Sequence, residues 1–143
     1  MLTTASTVKN LSYWVAPWII KNPQQPKFSQ IEKIICFHFG ITPEMLGLKN
    51  QSRNITLPRQ VYQTITYLSG YSTTVTGARH GKDHATVINS KRRILELLQT
   101  KYPAHDYLTT CRVIKEFATY FPQVDLSYLP GGWENFEINL RGA

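Results

Sequence analysis

Asp83 and His84 are neighbours in the run Gly81-Lys82-Asp83-His84-Ala85-Thr86-Val87, where several groups able to do chemistry come together. A carboxylate accepts hydrogen bonds, so Asp83 suits a cytosine amine. An imidazole N–H donates, so His84 suits a guanine or thymine acceptor. The methyl groups of Ala85 and Thr86 suit a thymine methyl, and Lys82 suits a phosphate oxygen. This is the chemistry of reading a base edge. Catalysis is the other use of an acid beside a histidine. A small nuclease would need clustered acids and histidines near a basic face, where only Asp83-His84 qualifies. No enzyme is expected.

The remaining reactive groups are scattered. Cys36 and Cys111 lie far apart with no C-x-x-C spacing, which argues against a disulfide framework or a zinc finger and for two buried thiols. His38 falls on an apolar helix face and reads as a core histidine. His105 beside Asp106 has no visible third ligand. Trp14, Trp18 and Trp133 are not interleaved with basic residues, so they read as core or interface residues rather than base-stacking platforms. No metal and no cofactor is expected, and no small-molecule substrate is evident.

The elements that position the Asp83-His84 run are helical. Phe28, Ile31, Ile34, Ile35, His38 and Phe39 recur at spacings of three and four, with Ser29 as the N-cap, Glu32 as its capping-box partner and Gly40 as the stop. Thr42-Pro43 opens a short element ending at Leu46. A basic polar loop follows, from Lys49 to Asn54. Pro58 then opens a helix carrying Val61, Ile65 and Leu68, closed by Gly70. Residues 72 to 79 form a short helix, and a turn at His80-Gly81 leads to a longer one over about 83–99. Val87, Ile94 and Leu98 face inward there, with Lys91, Arg92 and Arg93 around the rim. A last helix, capped by Asp106, carries Leu108, Cys111, Ile114, Phe117 and Ala118 and stops at Pro122. Leu126–Leu129 and Trp133–Leu140 read as two short strands around Pro130-Gly131-Gly132, and Leu11–Ile20 as strand-like. The expected fold is mainly α: a small helical bundle containing a helix-turn-helix, with short strands at the two ends. The expected domains are an aromatic N-terminal extension (1–27), a helix-turn-helix domain (28–120) and a C-terminal extension (121–143).

Sixteen Lys and Arg against nine Asp and Glu leave a net charge of +7, concentrated between residues 27 and 102. An anionic partner such as nucleic acid follows naturally. The apolar stretch Tyr13–Ile20 is broken by Pro17 and too short to span a bilayer, and no secretory signal is evident, so a cytoplasmic, nucleoid-associated protein with no membrane partner is expected.

Short helix, glycine turn and long polar helix make a helix-turn-helix, whose second helix enters the major groove. Residues 81–87 resemble the G-R-D-H-T-T-V signature of the C-terminal DNA-binding domain of the bacterial replication initiator DnaA. Leu57-Pro58-Arg59-Gln60 is similar to that family's R-P-R-Q, and the resemblance extends over about residues 28–120. It implies a helical bundle that binds double-stranded DNA at a short site, the DnaA box. It further implies base contacts from Asp83 and His84, phosphate or flanking contacts from Lys82 and Thr86, a phosphate grip from Arg59, and backbone or minor-groove contacts from Lys49 and Arg53, while Ala85 remains a candidate through its methyl group alone. Arg92 joins them as a phosphate contact on the rim.

The match has departures. Leu57 stands where the family has an arginine that reads the minor groove, and Ala85 replaces a threonine. Arg79 and His80 replace an apolar residue and a glycine, which would add backbone contacts. The G-x-x-x-x-G-K-[ST] loop of an ATPase module is absent, so ATP-driven origin opening is not expected of this chain. The leading expectation is sequence-specific DNA binding in replication initiation or transcription regulation, in a host, phage or mobile element. The alternative is a protein-interaction module on the same bundle that has lost specific reading. A protein partner or self-association fits either reading, because one helix-turn-helix reads few base pairs.

Overall fold

The computed structural model describes residues 25–49 and 52–130. They form six helices: α1 (Phe28–Phe39), α2 (Pro43–Leu46), α3 (Arg53–Leu68), α4 (Thr73–Ala78), α5 (His84–Thr100) and α6 (Ala104–Tyr120). No strand occurs among the described residues. The mainly helical bundle expected from periodicity is what the chain builds.

The axle is α3, which packs against α1, α2, α4, α5 and α6. Its sequence explains this role only in part. Val61 and Ile65 make an apolar stripe, but Tyr62, Gln63, Thr64 and Thr66 are buried as well. A helix so enclosed buries polar groups along with apolar ones, and some of them find partners inside. Ser90 of α5 donates to Gln63 Oε1 at 2.6 Å, and Thr64 Oγ1 donates to the Gln60 carbonyl at 2.8 Å. Around α3 the core gathers Ile31 and Ile35, Leu46, Ile94 and Leu98, and Cys111, Ile114 and Phe117. Cys36 and Cys111 are free and buried, and burial pushes the Cys36 thiol up to about 11. His38 is hydrogen-bonded to Glu116, joining α1 to α6.

Several boundaries differ from the sequence reading, each for a local reason. The cap of α1 is Lys27 rather than Ser29, and its backbone N–H donates to Gln30 Oε1 at 2.8 Å. Glu32 is thereby free of a capping role and is buried instead, 5% exposed. Helix α3 begins at Arg53, not Pro58, and carries Pro58 inside it. Proline there forfeits the bond to the Asn54 carbonyl. Asn54 is exposed, so water can replace that bond. The cap of α6 is Pro103, and Asp106 sits in the first turn.

Leu126–Leu129 is a turn rather than a strand. Asp125 Oδ1 accepts from Ser127 N at 2.9 Å and Ser127 Oγ at 2.6 Å, and Leu129 N donates to the Leu126 carbonyl at 3.0 Å. Leu126 and Leu129 both enter the core, a spacing of three that suits a turn. The strands expected at Leu11–Ile20 and Trp133–Leu140, and all three tryptophans, lie outside the described residues.

Candidate nucleic-acid interface

Two side-chain caps and two glycines build the α4–turn–α5 unit. Ser72 Oγ accepts from Val75 N at 3.1 Å and starts α4. Asp83 Oδ1 accepts from Thr86 N at 2.9 Å and from Thr86 Oγ1 at 2.8 Å, and starts α5. The two bonds from Thr86 hold the Asp83 carboxyl below its ordinary pKa, so it stays ionised. Between the helices the chain doubles back on α4. Lys82 N donates to the Gly77 carbonyl at 2.8 Å. A Cβ at Gly77 would stand 2.6 Å from the Lys82 carbonyl oxygen and 2.8 Å from that of Asp83, so only glycine permits this approach. Gly81 turns the chain with φ +71°, in the left-handed region.

The turn is fastened to α1 from below. Arg79 donates from Nε to Glu32 Oε2 at 2.9 Å and from Nη2 to Glu32 Oε1 at 3.2 Å. His80 Nε2 lies 3.3 Å from the same carboxylate, and its ring packs on Tyr62 with centroids 4.8 Å apart. Burial lowers the His80 pKa, helped by the Arg79 and Arg59 charges and opposed by Glu32. The ring is therefore neutral, with Nε2–H donating to Glu32 and Nδ1 left without a partner. Arg79 and His80, expected as extra backbone contacts, are both paired to this buried carboxylate, with the His80 ring covered and the Arg79 side chain still 41% exposed.

What remains outward is the start of α5. Asp83, His84 and Ala85 are exposed, while Lys82 and Thr86 are half-buried. One turn on, Ile88 is 50% exposed, and Arg92 beyond it is exposed and donates to Asn89 Oδ1. The inner face, Val87, Ile94 and Leu98, is packed on the core. Apolar periodicity separates these faces in the sequence, but it gives no signal for an isoleucine such as Ile88 standing on the outer one.

Residues 28–94 match the model of the family described as bacterial dnaA protein helix-turn-helix. That span runs from the first residue of α1 to Ile94 inside α5. The chain is also 32% identical over 77 residues to the chromosomal replication initiator protein DnaA of Deinococcus radiodurans, covering 52% of this chain and 16% of that protein. Residues 28–94 are DnaA C-terminal-domain-like. No solved structure matches the chain.

Within this DnaA-like unit the other expected site residues have different fates. Lys49 is exposed in the loop before α3. Arg53 is largely exposed but paired to Asp106 of α6 at 2.8 Å. Arg59 departs from expectation. It is 6% exposed, donates from Nε to the Leu46 carbonyl at 2.7 Å and from Nη2 to that of Leu48, and burial lowers its pKa. Its guanidinium satisfies carbonyls at the end of α2 that have no helical partner, so it braces this junction. Leu57, 4% exposed, joins the core and lines a cleft with Arg53, Gln60 and Arg93. The Lys91 ammonium is also occupied, 5.0 Å from the ring centroids of both Tyr67 and Tyr128.

Proposed function

We propose that this protein binds double-stranded DNA and reads its sequence by placing the N-terminal end of α5 in the major groove. The observation that carries this reading is the outward face of α5. His84 and Ala85 stand exposed on a first turn that Asp83 caps, at the end of a unit braced by Gly77 and by the Arg79–Glu32 pair. Reading demands side chains that are accessible yet held in one geometry. Asp83 spends Oδ1 on its cap, and its other oxygen remains to accept from a cytosine amine. His84 donates to a guanine or thymine acceptor, and the Ala85 and Thr86 methyl groups meet thymine. Lys82, Arg92, Lys49 and Arg53 take phosphates, Arg53 by exchanging Asp106 for the backbone.

The likeness to a chromosomal replication initiator supports a place in replication initiation. The chain spans about one sixth of that relative, so the role proposed is marking a site on DNA, with no catalytic step.

A selection from random duplex DNA at low and near-physiological salt tests the proposal. A short enriched motif, with affinity falling steeply as salt rises, is the expected result. Enrichment of nothing overturns sequence reading. A double variant, Asp83→Ala with His84→Ala, should bind more weakly and lose its preference at the bases those two side chains meet; if its preference is unchanged at every position, Asp83 and His84 do not read bases.

A further inference from the structure

Among the leucine, isoleucine and valine side chains of α5, Ile88 stands apart. Val87, Ile94, Leu97 and Leu98 are buried and Leu95 packs on the core, whereas Ile88 is half exposed. It lies four residues after His84, three after Ala85 and four before Arg92, so these four share one side of the helix. Branching at Cβ leaves isoleucine one strongly preferred χ1 in a helix, so its methyl groups point in a fixed direction. A rigid apolar surface flanked by an imidazole and a guanidinium matches a major-groove edge where a thymine methyl lies among polar base atoms and phosphates.

The geometry points to Ile88 as a base-reading residue whose methyl groups meet the 5-methyl group of a thymine, one turn further along α5 than the base met by His84. Four residues of helix advance about 6 Å, so this thymine belongs to a neighbouring base step. The inference rests on the DNA-reading function proposed above and names one of the groups read.

The test uses the full chain and the duplex recovered by selection, with each thymine replaced in turn by deoxyuridine, which lacks only the methyl group. Wild type should lose about four-fold in affinity at one thymine, the value of one buried methyl-sized group, at a position other than the one affected by His84→Ala. Ile88→Ala should bind the parent duplex more weakly by a similar factor and be indifferent to that deoxyuridine. Its circular dichroism and unfolding midpoint should match wild type, because the side chain removed is on the surface. If Ile88→Ala binds the parent duplex as wild type does, responds to every deoxyuridine as wild type does, or the site holds no such thymine, the inference is overturned while DNA reading stands. If selection enriches no site, both fall together.

Discussion

Arg79 grips both carboxylate oxygens of Glu32, across a span of 47 residues in sequence, with Nε 2.9 Å from one and Nη2 3.2 Å from the other. The pair joins the first helix of the bundle to the turn of the helix-turn-helix. Glu32 is buried, Arg79 half exposed, and the Arg79 guanidinium also lies 5.3 Å from the Phe28 ring centroid. Helix α5 is therefore oriented by α1 as well as by the helices it touches directly.

Replacing Glu32 by Gln should lower folding stability by about 2 kcal/mol. Removing one partner of a fully buried pair costs about 3–5 kcal/mol, and the exposure of Arg79 reduces this through solvent screening. A urea titration checks it. An unchanged midpoint would mean that the pair does not hold the turn.

Acidification should loosen the same junction through His80. Its folded pKa lies below the ordinary 6.5 because the ring is buried. As the pH falls below 6.5 the unfolded chain therefore takes up a proton more readily than the folded chain. Stability from this group is full above pH 6.5 and is lost as the pH falls towards the folded pKa. The groups facing the ring are Glu32, Arg79, Arg59 and Tyr62, and Glu32 alone opposes the shift. Unfolding measured at pH 7.5 and 5 should show a shallower loss for His80→Asn than for wild type. Equal losses would assign the acid sensitivity to other groups.

Gly77→Ala should push α4 away from the turn, because the new Cβ meets backbone oxygens that cannot swing aside. A destabilisation of about 1–3 kcal/mol is expected, with weakened DNA binding. Differential scanning calorimetry and a binding titration on one sample measure both. A variant that melts and binds as wild type would remove the close approach from the account.

Neutralising cations should divide them into two kinds. Lys82→Gln and Arg92→Gln should each reduce the slope of log affinity against log salt by about 1 and leave the unfolding midpoint nearly unchanged. Arg59→Met should leave that slope intact and cost about 1.5–3 kcal/mol in stability, since two carbonyls lose a charged donor. A fall in the salt slope for Arg59→Met would return that residue to the DNA surface.

Much of the helix-turn-helix is legible in the sequence because its determinants are local. The Ser72 and Asp83 caps act within three residues, Gly81 answers to its own backbone angle, and Val87, Ile94 and Leu98 mark the inner face of α5 by spacing alone. What only the tertiary structure decided is where the long polar side chains go. Arg59, Arg79 and His80 carry the same chemistry in sequence as Lys82, His84 and Arg92, yet the first three are tied to acceptors within the fold. Their partners are the Leu46 and Leu48 carbonyls and the Glu32 carboxylate, and the carboxylate is distant along the chain. Helix α3 likewise passes through Pro58 because neighbours on every side stabilise it beyond what propensity permits. A cap is chosen by residues next to it; the direction of a cation is chosen by whichever acceptor folding brings within reach.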